Sequence, residues 1–131
     1  MSSLLIQNAS AIVTCDSRDS VYENASVLME DGVITRIAHD IPASGETVDA
    51  AGCIVYPGLI NTHHHLYQTF SRNLPAVQGM ELFDWLRALY EIWKNLDSGV
   101  VYHSSMTGLG ELLRHGCTTV FDHHYVFPRG R

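Results

Sequence analysis

The chain has 131 residues, 46% apolar and 17% charged, with a formal net charge of -6. That balance fits one ordinary globular fold with ample core material and excludes a disordered chain. The acidic excess leaves no broad basic footprint, so neither nucleic acid nor an anionic membrane surface is expected as a partner.

The N-terminal stretch "MSSLLIQNASAIVTCDSRD" lacks the basic n-region and long apolar h-region of a secretory signal. No apolar run approaches the roughly 20 residues of a membrane span. Cys15, Cys53 and Cys117 are few, odd in number and far apart, which argues against a disulfide framework and fits a reducing compartment. A cytoplasmic protein is the expectation.

The first part of the chain reads as β-rich. "LLIQNASAIVTCD" offers short apolar runs broken at Asn8 and Ala9. Val27–Glu30 and Val33–Ile37 flank Asp31-Gly32, and Asp-Gly between strand-forming runs predicts a hairpin. "IPASGE" reads as a loop, with Pro42 and Gly45 as breakers. "TVDAAGCIVYPGLIN" follows as another extended run, bent at Pro57-Gly58.

After Pro57 the pattern changes. "LIN" reads as a short buried strand that feeds His63, His64 and His65. Over "LPAVQGMELFDWLRALYEIWKNL" the residues Leu82, Trp85, Leu86, Leu89 and Trp93 recur at helical spacing. Asp97 is placed to cap a second helix, "SGVVYHSSMTGLGELLRHG", with Leu109, Leu112 and Leu113 as its apolar face. Gly116 sits where a C′ glycine belongs, and His115 falls in the last turn. "CTTVFD" is a second buried strand, ending in Asp122, His123 and His124. Strand, helices and strand make a βαβ unit with a parallel sheet and a right-handed crossover. In such sheets chemistry gathers beyond the carboxyl ends of the strands, where both histidine clusters fall.

Alternate side chains of a strand share a face, so His63 and His65 point one way and His64 the other. Two imidazoles at i and i+2 can give two nitrogens to one zinc or iron ion. The competing reading is a polar loop with incidental histidines facing solvent. A small non-catalytic metal module closed by His63, His65, His123 and His124 is a further alternative.

The segment "VYPGLINTHHHLYQ" resembles the metal-binding signature of the amidohydrolase superfamily, in which Pro-Gly precedes a strand ending in His-x-His. The stretches "NTHHHLYQTFSRNLPAVQ", "ELFDWLRALYEIW" and "ELLRHGCTTVFDHHYVFP" resemble its branch of 8-oxoguanine deaminases and triazine-ring hydrolases, the hydroxydechloroatrazine ethylaminohydrolase type. The resemblance implies an α/β fold. Residues 1–56 would be the β-rich segment of a small composite sandwich domain, and residues 57–131 the first strands and helices of an incomplete (β/α)8 barrel. It implies a hydrolase of C–N bonds in cyclic amidines that deaminates 8-oxoguanine or a related purine, with a triazine as the second choice. One divalent ion per subunit, zinc or iron, would activate water.

Carried over by position, His63 and His65 match the first two metal ligands, and His64 is not one. Gln68 is expected to hydrogen-bond the heterocycle. Trp85 either covers the site or is a core aromatic. His123 and Asp122 either line the pocket, stand behind the ligands, or serve structure alone. Tyr90 and Trp93 are expected in the core, and Cys117 as a small buried residue. The remaining ligands of the family, two histidines and an aspartate, come from later strands. Its acid/base glutamate also comes later, so the catalytic acid/base residues are expected beyond Arg131. The chain is therefore expected to be the N-terminal portion of a longer, homo-oligomeric enzyme, and inactive alone. A hydantoinase-type hydrolase of the same superfamily would need a bridging lysine that also lies later.

Overall fold

A computed structural model describes residues 2–43 and 45–128 of the chain, which divides into two units, residues 1–57 and 58–131. In the first unit the central strand is β1, Ser3–Val13, paired antiparallel with β2, Val21–Glu30. The expected hairpin forms: β2 turns into β3, Val33–Ala38, through Asp31 and Gly32. Both turn residues have positive φ (49° and 82°), as a two-residue turn matched to strand twist requires.

Asn8 does not break the first run in two. It is a bulge inside one strand, at φ 62°, where the register with β2 shifts between Ile6 and Ala9. An odd separation on a regular strand would put Ile6 and Ala9 on opposite faces. The extra residue lets both reach one core, with Ile12, Ala25, Val27 and Ala50. The Asn8 amide holds the bulge by donating to Asp49 Oδ1 at 3.0 Å.

The extended run after the loop is also divided. β4, Glu46–Asp49, and β5, Ile54–Val55, lie parallel to successive halves of β1. Between them the chain turns at Gly52, whose φ is 77°. The unit is one five-stranded sheet of order β3-β2-β1-β4, with β5 beside β1. The loop expected over "IPASGE" crosses residue 44, which lies outside the described residues. So does Arg131, the position past which the catalytic acid/base residues are expected.

The second unit holds β6, Leu59–His64, parallel to β7, Cys117–Asp122. A 3-10 turn, Leu66–Ser71, leads to a second one, Pro75–Val77, then α1, Leu82–Trp93, and α2, Ser98–Arg114. The core is Tyr67, Val77, Leu89 and Trp93, each 5% exposed or less. Burying side chains of this size stabilises by about 1.5–3 kcal/mol each. No helix of the described residues is long and apolar enough to cross a membrane.

Three expectations need correction. Leu59, Ile60 and Phe121 are 58%, 68% and 64% exposed, so the two strands are not buried: within this unit α2 packs on one side of a sheet only two strands wide. The inward face of α2 is built from small residues. Ser104 and Gly108 are buried, whereas Leu113 is 65% exposed. A Cβ on Gly108 would lie 2.9 Å from both Leu66 Cδ2 and Thr69 Oγ1, so only glycine allows this approach without a shift. Tyr90 is 46% exposed and packs only one ring edge on buried Trp93.

The ends of α2 are as expected. Asp97 Oδ1 accepts from the Val100 amide at 2.8 Å, and Gly116 follows the C-cap at φ 77°. Asp97→Ala is expected to destabilise the second unit by about 1 kcal/mol, the usual cost of a lost N-cap. Urea unfolding followed by tryptophan fluorescence checks it, and a midpoint equal to wild type would contradict it.

Candidate metal centre

β6 delivers His63 and His64, and His65 follows one residue past its end with a still extended φ of -132°. His63 and His65 come together, with ring centroids 5.1 Å apart and Nε2 atoms 3.2 Å apart. His64 faces the other way, toward α2, where its Cε1 would be 3.7 Å from a Cβ on Gly108. Its Nδ1 is buried without a hydrogen-bond partner among the described residues.

The tautomer of His65 is set by its neighbour. Its Nδ1 lies 2.8 Å from the His123 carbonyl oxygen. A carbonyl can only accept, so Nδ1 carries the proton, and in the neutral ring Nε2 is an unprotonated acceptor facing His63 Nε2. That is the state a metal ligand needs, with its other nitrogen bonded to the protein. The 3.2 Å spacing also fits. Two nitrogens each about 2.0–2.1 Å from one zinc ion are that far apart at an N–Zn–N angle of about 100°, close to tetrahedral. The donor set therefore fits a divalent ion of the zinc class.

The closed set of four histidines does not form. Among the described residues no three or more His, Cys, Asp or Glu side chains converge as a metal site. The His123 ring lies against His63, centroids 4.3 Å apart, and its Nε2 is 3.4 Å from the Thr62 carbonyl oxygen, toward which it donates. His124 is turned toward Tyr67, Phe127 and Asp122 instead.

A cleft of about 510 Å³ is lined by all three histidines, His63, His64 and His65, together with Gln68, Trp85, Arg72 and Glu111. Gln68 is thus beside the histidines. Trp85 is half-buried; it lines the cleft and packs edge-on to Trp93 at 5.9 Å. His123 does not line the cleft; it stands behind His63 and His65. Cys117 is buried and donates to the Thr119 carbonyl.

Sequence reasoning missed the supports. Tyr67 is fully buried, and the Gln68 Nε2 donates to the hydroxyls of Tyr67 at 2.9 Å and Tyr125 at 3.3 Å. With its amino group so engaged, Gln68 keeps its Oε1 as an acceptor with no hydrogen-bond donor among the described residues. Ser104, buried in α2, lies 3.0 Å from the carbonyl oxygens of both Leu66 and Tyr67, to which its hydroxyl can donate, and accepts from the Phe70 amide at 3.1 Å. One hydroxyl thereby holds the turn that carries Gln68. Ser104 and Gly108 stand four apart, but α2 also carries Ser98, Gly99, Ser105 and Gly110, so the sequence alone did not single them out.

Two outcomes follow from these supports. Ser104→Ala leaves the Phe70 amide without its acceptor and is expected to cost about 1–3 kcal/mol, with faster hydrogen exchange at Phe70. Unchanged exchange there would contradict it. Burial pushes the Tyr67 phenol above its ordinary value, the Tyr125 hydrogen bond adding to the rise and the Gln68 amide opposing it. The folded phenol holds its proton more tightly than the unfolded one. Its contribution to stability is therefore full below about pH 10 and is lost as pH rises further. Tyr67→Phe is expected to flatten the alkaline limb of a stability-against-pH curve, and an unaltered limb would contradict this.

The sequence profile of the amidohydrolase family matches residues 54–129. The chain is 36% identical over 142 residues to hydroxydechloroatrazine ethylaminohydrolase of Pseudomonas sp. (strain ADP), covering 98% of this chain and 30% of that protein. It is 40% identical over 134 residues to 8-oxoguanine deaminase of Pseudomonas aeruginosa, covering 99% of this chain and 29% of that one. A mutant of atrazine chlorohydrolase TrzN from Arthrobacter aurescens TC1, solved with zinc and atraton, superposes with a TM-score of 0.88 at 29% identity. That superposition covers 95% of this chain and 29% of the other. The chain thus spans about three tenths of the length of the curated relatives it matches. With the histidine pair inside the matched segment, the chain belongs to the amidohydrolase family.

Proposed function

We propose that this chain belongs to a metal-dependent hydrolase that deaminates an amino-substituted N-heterocycle and releases ammonia. The observation that carries the reading is the His63–His65 pair, two Nε2 atoms 3.2 Å apart with His65 protonated on Nδ1. In this reading residues 1–56 belong to a small sandwich domain, and residues 57–131 open a (β/α)8 barrel. Zinc is the preferred ion, in keeping with the zinc-containing structural relative, and iron the second choice. When bound, the ion supplies a water acidic enough to attack the ring at neutral pH.

The chain's own residues then have distinct tasks. His63 and His65 hold the ion. Gln68 offers its Oε1 to a ring N–H, which favours a lactam-bearing purine over a ring with acceptors alone. Trp85 gives the ring an apolar wall and thins the water around it. The identity to a protein named for 8-oxoguanine makes that purine the first substrate to try, and the identity to a triazine-ring enzyme makes a triazine the second. A catalytic zinc usually takes three protein ligands and an open position. Here the described residues supply two. Further ligands and the acid/base carboxylate would come from positions past Arg131 in the longer enzyme.

Calorimetric titration of the untagged chain with zinc chloride tests the reading. One ion per chain is expected, with His63→Ala and His65→Ala each weakening binding by more than about ten-fold, because each removes one of two imidazole bonds. His64→Ala is expected to leave the affinity unchanged. Added zinc is expected to give no ammonia from 8-oxoguanine with this chain alone. Zinc uptake indifferent to His63 and His65 would refute the metal pair, and sustained turnover would refute the division of the site.

A further inference from the structure

His65, one residue past the end of β6, is held from the neighbouring strand. The His64 carbonyl accepts from the His123 amide at 2.7 Å, and the His65 ring donates through Nδ1 to the His123 carbonyl at 2.8 Å. The peptide that leaves His65 is held as well: the Leu66 amide donates to Asp122 Oδ1 at 2.9 Å. Residues 64–66 are therefore tied by three bonds to two consecutive residues at the end of β7.

Two of those bonds are made to the main chain of His123 and do not depend on its side chain. The third depends on one side chain. His65 is the N-cap of the 3-10 turn Leu66–Ser71, with φ -132° and ψ 81°, and makes no side-chain cap of its own. It cannot accept through Nδ1, because that nitrogen donates to His123. The first amide of the turn needs an acceptor, and Asp122 supplies it from the neighbouring strand. Its other oxygen, Oδ2, lies 3.5 Å from His124 Nδ1. Both carboxylate oxygens thus face protein groups, and the side chain is three-quarters covered.

We propose that Asp122 is a positioning residue for His65. By fixing the peptide plane that follows His65, it sets the χ1 origin of the ring and keeps Nδ1 on the His123 carbonyl, so that Nε2 stays opposite that of His63. It neither touches the ion nor supplies charge to it. This inference rests on reading His63 and His65 as a metal pair, but its first readout needs no metal.

The test uses the untagged chain and two variants, Asp122→Ala and Asp122→Asn. Long-range nitrogen–proton NMR of the histidine rings reports the His65 Nδ1 proton. Zinc chloride titration reports the affinity of the pair. In Asp122→Ala the Nδ1 signal is expected to broaden by exchange with water and zinc binding to weaken by about ten- to hundred-fold, the usual effect of losing a residue behind a metal ligand. Asp122→Asn keeps an Oδ1 acceptor and is expected to retain the signal, with affinity within about two-fold of wild type. A folded Asp122→Ala with an unchanged signal and affinity would overturn the proposal. So would loss of both in Asp122→Asn, which would make the charge the operative feature. If Asp122→Ala fails to fold, Asp122→Asn decides alone on those terms. If the wild-type chain takes up no zinc, the metal reading fails, and the Nδ1 signal in the variants still decides the role of Asp122.

Discussion

A single proton, the one on His65 Nδ1, links the strand pairing of the second unit to what its histidines can do. The parallel pairing of β6 and β7 brings the His123 carbonyl within 2.8 Å of that nitrogen. Because a carbonyl has no proton to give, the pairing itself chooses the tautomer, and the far nitrogen faces His63 Nε2 as an unprotonated acceptor. Move β7 by one residue along β6 and the opposite face of the strand would be presented, with the carbonyl no longer under the ring. The chemistry of the site is in this sense a property of strand register.

Around that pair the fold uses close approach rather than bulk. Ser104 and Gly108 let α2 descend onto the turn Leu66–Ser71, and a single hydroxyl then meets three main-chain groups of that turn. Beneath it Tyr67 and Trp93 meet edge to face at 5.4 Å in the core of the unit. The Tyr67 hydroxyl is not wasted in that apolar setting, since it receives the Gln68 amide. The core, the turn and the cleft-facing glutamine are thus one connected structure. A site supported in this way keeps its side chains in place before any ligand arrives, which is what efficient recognition demands.

What could be read from the residues alone was what is decided locally. The Asp31-Gly32 turn, the Asp97 cap and the Gly116 helix end each depend on a few neighbouring residues and were legible. So was the approach of the His63 and His65 rings, since the chain stays extended one residue past β6. What escaped depends on partners far along the chain. Asn8 looks like a break until Asp49 and the displaced register of β2 show it to be a bulge. Leu113 looks like core by its spacing, yet the neighbouring turn comes close only on the Ser104 and Gly108 side. Gln68 reads as a ligand contact, but its polarity comes from Tyr67 and from Tyr125, 57 residues away. Asp122 could be placed at a strand end but not assigned, because its partner amide lies 56 residues earlier.

The central claim is that one ion is held between the Nε2 atoms of His63 and His65. X-ray absorption of the zinc-loaded chain addresses it most directly. The account predicts scattering from two imidazole rings with Zn–N distances of about 2.0–2.1 Å, the rest of the shell being water oxygen, and loss of one ring's scattering in His63→Ala and in His65→Ala. A shell of four imidazoles, or a spectrum that neither substitution alters, would contradict it.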